Sequence, residues 1–175
     1  MKLRISVLGT MLASVLWFNA CSIPAWVNNV ESDGETAVAI AESLTDVIDP
    51  ALAPLVTLIG NGFIALVNTV NTFKKSPTAT NLQAVQAAFQ AVDANVAQLE
   101  AGAQIKNAAT QTKVTAIVQL LAHVVTEIGA QVPAAQAAGT LKLQTPGTAK
   151  GWNAAEIKKQ YNDIVKGDPR FKPLK

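Results

Sequence analysis

The chain has 175 residues, of which 50% are hydrophobic and only 5% aromatic, and its 14 basic residues nearly balance 12 acidic ones. A single cysteine excludes a disulfide within the chain. The length suits one domain with a real core. Ala, Val, Gln, Thr and Asn dominate, and alternating strand patterns are nearly absent, so we expect an all-α fold.

The N-terminus has the pattern of an export signal. Lys2 and Arg4 precede an unbroken apolar stretch over 5–18. That stretch has the length of a signal-peptide core and falls short of the roughly 20 residues that a spanning helix needs. Residues 1–20 are therefore predicted to be a signal peptide.

The end of this signal resembles the lipobox of bacterial lipoprotein precursors. The matching residues are Phe18, Asn19, Ala20 and Cys21. Ala20 and Cys21 fit, Phe18 is apolar where leucine is usual, and Asn19 departs from the pattern. The resemblance covers residues 1–22 only. It implies that Cys21 is lipidated and becomes the new N-terminus, so that the lipid anchors the protein to a membrane. Two alternatives remain. Cys21 could be removed with a cleaved secretion signal, or it could lie in an uncleaved signal anchor.

The first segments after the signal are predicted as a tether and a helix. Residues 21–31 read as the tether, and Ser32 with Glu35 forms a capping-box pattern. Apolar residues at helical spacing then predict a helix over 33–48. The pair Asp49-Pro50 ends it and can open the next helix, although Pro54 can shift that start by a turn.

The segment 51–75 is the most apolar part outside the signal. It predicts a helix that is apolar nearly all round, which lies either at the centre of a bundle or in a membrane. An Asn- and Thr-containing face favours the bundle, because bare amides are costly in lipid. Gly60 and Gly62 either weaken this helix or permit close packing against a neighbour.

Two further helices form a predicted antiparallel hairpin. Thr80 and Gln83 suggest a capping box, and apolar residues follow in steps of three and four, as in an a/d seam: Leu82, Val85, Phe89, Val92, Val96 and Leu99. The pattern slackens over 102–109. A helix of similar length then runs to Val132, where Pro133 stops it. Residues 32–132 are therefore predicted to form the bundle.

The C-terminal part is predicted to consist of two segments. The first is a linker over 133–151, which can contain a short strand at 140–144. The second is a basic helix with a tail over 152–175. Asn153 and Glu156 suggest the helix cap, and Gly167 its end. Residues 22–141 carry nine acidic residues against four lysines, whereas 142–175 carry eight basic residues against three acidic ones. A basic tail can touch anionic lipid, nucleic acid or its own chain. We rank contact with its own chain first.

The sequence contains no group of residues with the types and spacing of a catalytic, metal-binding or nucleotide-binding site. His123 is the only histidine and is expected to face solvent beside Glu127, with too few ligands nearby for zinc. Glu31, Asp33 and Glu35 are read as acids that favour a helix start. No phosphate-binding or nucleophile-elbow motif occurs. We therefore expect no enzyme, catalytic residue, metal or cofactor, and no nucleic-acid partner.

These observations favour an antiparallel bundle of about four main helices with a short C-terminal helix. The protein is expected to be a non-enzymatic lipid-anchored protein of the bacterial envelope, facing the periplasm or the cell exterior. Its role would be structural or an interaction with an envelope protein partner. One alternative is a membrane-embedded hairpin of 5–20 and 55–73. Another is a secreted helical protein whose helix over 51–73 lines a pocket for a hydrophobic ligand.

Overall fold

A computed structural model describes residues 24–103, 108–132 and 153–175, without the side chains of 103 and 108–110. The described residues contain five α-helices and no strand, which confirms the predicted all-α class. The helices are α1 (Ala25–Thr45), α2 (Ala53–Lys75), α3 (Ala79–Ala103), α4 (Ala108–Gln131) and α5 (Ala154–Val165).

The four long helices form a closed antiparallel ring. Contacts join α1 to α2, α2 to α3, α3 to α4 and α4 to α1. The short α5 packs against both α1 and α4 and so lies in the groove between them. The predicted architecture of four main helices and one short helix is therefore confirmed. Because α1 and α2 run in opposite directions, the start of α1 lies beside the end of α2. There the ring centroids of Trp26 and Phe73 are 5.4 Å apart.

The core is built from the apolar stripes that the sequence presents at helical spacing. On α3 the predicted seam faces inward: four of its residues are buried and Leu82 and Phe89 pack partly buried against the core. On α2 one stripe is buried: Val56, Ile59, Phe63, Leu66, Val70 and Phe73. The same helix leaves Leu58 and Ile64 exposed, at 51% and 45%. The mixed outer face of α2 is therefore a surface of the bundle.

Helix α1 begins earlier than its sequence pattern predicts. Residues 25–31 are helical, so the prediction of a tether over 21–31 is wrong for that part, and Ser32 lies within the helix rather than at its cap. The physical reason is burial: Val27 and Val30 are fully buried and continue the apolar stripe of α1 toward its N-terminus. Pro24 precedes the first turn, where its missing N–H costs nothing.

The observed starts of α2 and α3 also differ from the predicted ones by a few residues. Asp49 accepts a hydrogen bond from the Ala51 amide in the turn, and α2 starts later, with Pro54 in its first turn. At α3, the Thr78 hydroxyl accepts a hydrogen bond from the Asn81 amide at 3.2 Å, so the cap is Thr78 and the predicted box from Thr80 is wrong.

The glycine pair in α2 permits close packing, and the helix continues through it. A Cβ at Gly62 would lie 2.9 Å from Cγ2 of Val92 on α3, closer than packed carbon atoms approach. A Cβ at Gly60 would lie at an ordinary 3.8 Å from the Cβ of Ala41 on α1. Gly62 therefore sets the distance between α2 and α3.

The C-terminal segment is docked on the bundle. The Asn153 side chain caps α5 by accepting from the Glu156 amide at 3.0 Å, as predicted. Ile157, Tyr161 and Val165 are buried, and Gly167 ends the segment with a positive φ of 75°. The predicted linker and the strand predicted at 140–144 lie outside the described residues, as does the turn over 104–107 between α3 and α4.

The tail after α5 folds back along its own chain. The Asn162 side chain donates to the Leu174 carbonyl at 2.9 Å and accepts from the Leu174 amide at 2.7 Å. Asp168 pairs with Arg170 at 2.7 Å and with Lys113 of α4 at 3.8 Å. The Arg170 guanidinium lowers the pKa of Asp168 to about 2. The tail therefore contacts its own chain, as predicted.

Candidate functional site: a buried carboxyl between three helices

The residue with a predicted modification, Cys21, lies outside the described residues, as does the rest of the signal. The described chain begins at Pro24, which is the residue before α1. The structure therefore gives no geometry for the lipobox.

The most perturbed ionisable group in the described chain is Asp33. It lies on the inner side of α1, in register with the buried Val30 and Ala37, and is 1% exposed. Burial raises the pKa of Asp33 to about 6, because a carboxylate loses hydration in the interior. A hydrogen bond from the Gln131 side chain and one from the Ala154 backbone oppose that rise in pKa, and the negative charge of Glu127 adds to it. Asp33 thus joins α1 to the end of α4 and the start of α5.

Two acceptor atoms at this junction have no hydrogen-bond donor. Oδ2 of Asp33 and Oε1 of Gln131 are both buried without a hydrogen-bond partner. Each is an acceptor when the carboxyl is ionised, so neither can satisfy the other. Protonation of Asp33 would supply an O–H donor at this place. The arrangement therefore favours the neutral acid, in agreement with the raised pKa.

The predicted contact of His123 with Glu127 is present on α4. The imidazole Nε2 lies 3.7 Å from Oε1 of Glu127, and the His123 side chain is 39% exposed. Glu127 in turn faces Asp33 closely enough to raise its pKa. In the described residues, no group of three or more His, Cys, Asp and Glu side chains is arranged to hold a metal ion.

A second buried polar group lies further along α5. Burial raises the pKa of Tyr161, while the nearby Ser43 hydroxyl opposes the rise. The Tyr161 hydroxyl is buried and has no partner at hydrogen-bond geometry. The Ser43 hydroxyl donates instead to the Ile40 carbonyl, at 2.6 Å. Tyr161 therefore contributes mainly through the packing of its ring.

The concave surface that the described residues form near α5 is small. A shallow depression of about 200 Å³ lies where α1 meets α5 and the tail, and it is lined by Ser32, Glu35, Thr36, Ala39, Lys158, Leu174 and Lys175. Sites for drug-sized ligands are commonly about 300–1,000 Å³ and mostly enclosed. The depression includes neither Asp33 nor any residue of α2, the helix that the sequence suggests for a hydrophobic pocket.

Two segments of the described chain are long and apolar enough to cross a membrane: Ala53–Lys75 and Gln111–Gln131. Core helices of soluble bundles meet the same criteria of length and hydropathy. In the bundle, 33% of the most apolar window is buried for the first segment and 44% for the second.

Comparison with known proteins gives no relative. No protein-family model matches the chain, and neither a curated protein nor a solved structure does.

Sequence reasoning missed Asp33 as a buried group. It was interpreted, with Glu31 and Glu35, as an acid at a helix start, but it lies inside α1. The signal that identifies it is its register: position 33 follows Val30 by three residues and precedes Ala37 by four. That register becomes visible once the helix is extended back to residue 25. The acid-cluster interpretation of Asp33 is therefore wrong.

Proposed function

We propose that the protein is a non-enzymatic component of the bacterial envelope, held on a membrane by a lipid on Cys21, with a structural or interaction role. The observation that best supports this is the position of α1. Only Ser22, Ile23 and Pro24 separate Cys21 from the first helical residue, Ala25. Four residue steps span at most about 14 Å. An anchor on Cys21 would therefore hold one end of the bundle close to the lipid headgroups.

The end that would face the membrane is formed by the start of α1, the end of α2 and the start of α3. Trp26 is half-buried there, beside Phe73, and Lys75 is exposed. Lys74 is bound to Glu31 at 3.0 Å. An aromatic ring and a lysine are residues that suit a membrane–water interface. Docking of α5 and its tail on α1 and α4 leaves α2 and α3 as the helices open to a partner.

A membrane-embedded protein is the second candidate. The length and hydropathy of Ala53–Lys75 favour it. The distribution of residues on that helix argues against insertion in a membrane. Its large apolar stripe packs in the bundle, and its outer face carries the exposed Asn61 and Asn68. Insertion into lipid would require α2 to exchange its packed stripe for lipid contacts and to bury both amides in hydrocarbon.

The decisive experiment is the intact mass of the mature protein purified from its own membranes. A chain that begins at Cys21 with added diacylglycerol, or with a further acyl chain, supports the proposal. A chain that begins after Ser22 without lipid contradicts it and favours a secreted protein. A chain that keeps Met1 favours the spanning hairpin. As a control, a Cys21→Ala protein that still resists carbonate extraction would indicate spanning helices.

A further inference from the structure

Helix α5 is held at both of its ends by ionisable side chains of the groove between α1 and α4. At its start, the Ala154 amide donates a hydrogen bond to Asp33 of α1. At its end, Nζ of Lys113 on α4 donates to the carbonyl oxygens of Lys166 and Val165, at 3.0 and 3.4 Å. Both contacts satisfy backbone groups that a helix leaves without partners at its ends. The two side chains therefore clamp α5 in its groove.

Helix α5 is the shortest helix of the described chain. Its helical contacts there are with α1 and α4 alone, and the ring of four long helices is closed without it. It has 12 residues, and an isolated helix of that length is marginal in water. Its helical structure therefore depends on docking, which buries Ile157, Tyr161 and Val165. Because the ring does not need α5, the segment can separate while the four long helices stay packed.

The contact at the start of α5 depends on the charge of Asp33. The Gln131 side chain donates a hydrogen bond to this carboxyl, while its own Oε1 and Asp33 Oδ2 are buried without a partner. A proton on Oδ2 can be donated to Oε1, so the neutral acid and the amide can form two hydrogen bonds with each other. The carboxylate has no such proton, and its burial without enough donors is costly. The neutral acid is therefore the form that fits the closed groove.

The charged groups around Asp33 do not offset this preference. Glu127 on α4 faces Asp33, and its negative charge disfavours a second negative charge there. His123 lies behind it, with Nε2 at 3.7 Å from Oε1 of Glu127. The neighbouring charged side chains of α1 and of the first turns of α5 lie in contacts of their own or in solvent: Glu31 with Lys74, Glu35 with Lys158 and Lys175 around the depression, and Glu156 and Lys159 exposed.

We propose that α5 and its tail form a pH-dependent latch, which docks tightly between α1 and α4 while Asp33 carries a proton and loosely once Asp33 has ionised. Release would expose the groove together with the apolar side of the C-terminal segment, which includes Ile157, Tyr161 and Phe171. The inference goes beyond the proposed function and requires no lipid on Cys21. It is therefore tested on the mature chain with Cys21→Ala, which makes its failure separate from a failure of the lipidation proposal.

The size of the effect follows from the pKa of Asp33 in the two forms. This pKa is about 6 when α5 covers the carboxyl, and it moves toward the ordinary 3.8 when release exposes the group to water. The docked form binds the proton more tightly, so docking weakens as pH rises from about 4 to 6 and is constant above that range. Full return to the ordinary pKa would weaken docking about 50-fold between pH 4 and 7, and return by half that distance about 10-fold.

The first test is hydrogen exchange by NMR between pH 4 and 7, expressed as protection factors, which correct for the effect of pH on the intrinsic exchange rate. The protection factor of the Tyr161 amide should fall about 10- to 50-fold over this range, and in Asp33→Asn it should stay within about twofold. The Leu66 amide on α2 reports unfolding of the whole bundle and should stay at least about tenfold more protected than Tyr161 at pH 7. Equal protection at the two residues, or a pH-independent value at Tyr161, would overturn the proposal.

Two control variants separate Asp33 from the other contributions. Lys113→Gln removes the contact at the far end of α5, so it should lower the protection of Tyr161 by a similar factor at every pH. His123→Gln removes a residue type that can change charge near neutral pH, and the fall in protection between pH 4 and 7 should persist in it. Loss of that fall in His123→Gln, with its persistence in Asp33→Asn, would assign the proton to the histidine and refute the proposal.

The second test measures the accessibility of one thiol in the Cys21→Ala background. Val165→Cys places the thiol on the buried side of α5, and Val92→Cys, the control, places it on the buried side of α3, which α5 does not contact. At pH 7 the thiol at position 165 should react with a maleimide at least about tenfold more slowly when Asp33→Asn is added. The thiol at position 92 should react more slowly than that at 165 in the presence of Asp33. Equal rates at position 165 with and without Asp33→Asn would refute the latch.

Discussion

Replacing Asp33 by asparagine should stabilise the bundle at neutral pH. The buried carboxyl has a pKa of about 6, against 3.8 for an exposed aspartate. Because each unit of pKa is worth 1.36 kcal/mol, a difference of about two units corresponds to about 3 kcal/mol of unfavourable free energy when the group is ionised. An asparagine removes this charge and brings an N–H donor to a place where Asp33 Oδ2 and Gln131 Oε1 have none. We expect a gain of about 1–3 kcal/mol at pH 7.

The sign of the pH dependence follows from proton binding. Below about pH 3.8, Asp33 is protonated in both the folded and the unfolded chain. Between about pH 4 and 6, the folded chain keeps a proton that the unfolded chain loses, so the free energy of unfolding falls as pH rises. Above about pH 6, both states are ionised and the effect of Asp33 is constant. The native chain should therefore lose stability across this window relative to Asp33→Asn.

The assay is urea unfolding followed by circular dichroism at a series of pH values from about 4 to 7.5. Glu42→Gln is the matched control, since Glu42 is an exposed acid on the same helix. The other carboxylates titrate in all three proteins and cancel in the difference. If Asp33→Asn is less stable than the native chain at pH 7, or if the two stability profiles run parallel, then Asp33 is stabilised as the carboxylate and the reasoning on burial is refuted.

Three further predictions concern packing. Gly62→Ala should destabilise the bundle by about 1–3 kcal/mol in urea unfolding through overpacking, whereas Gly60→Ala should be neutral or stabilising by up to about 1 kcal/mol. Tyr161→Phe should change the free energy of unfolding by less than about 1 kcal/mol in the same assay, because the lost hydroxyl makes no hydrogen bond. Asn162→Ala should release the tail, with faster hydrogen exchange at the Leu174 amide, because both bonds to that residue disappear.

Each of these has a distinct contrary result. Equal effects of alanine at positions 60 and 62 would show that α2 and α3 separate freely. A loss above about 2 kcal/mol for Tyr161→Phe would place a hydrogen bond on the hydroxyl, with Ser43 as its partner. Unchanged exchange at Leu174 in Asn162→Ala would show that apolar contacts of the tail hold it without the amide.

The parts of the fold that sequence predicts well are those where periodicity and burial coincide. The α3 seam from Leu82 to Leu99 repeats in steps of three and four with polar residues between, and the structure turns that seam inward. The Asn153 cap of α5 was predictable because a polar cap precedes an amphipathic turn. Local chemistry and tertiary packing agree in both cases.

The misses occurred where tertiary packing outweighs a local signal. Ser32 and Glu35 have the spacing of a capping box, but burial of Val27 and Val30 extends α1 past them. Asp33 was misinterpreted for the same reason, because a carboxylate is not expected in an apolar stripe. Its partners are also out of reach of sequence reasoning, since Gln131 and Ala154 meet it only after α4 and α5 have packed against α1.

The charge asymmetry of the chain is explained by which helices α5 covers. The basic C-terminal segment lies against α1, which carries four of the twelve acidic residues, and Glu35 shares a depression with Lys158 and Lys175. Burial of Ile157, Tyr161, Val165 and Phe171 supplies most of the contact, so docking should survive high salt, which screens exposed charges. The opposite side, formed by α2 and α3, carries no Asp, Glu, Lys or Arg over 50–73 and 76–92, so the charge of the bundle is concentrated on the side that α5 covers.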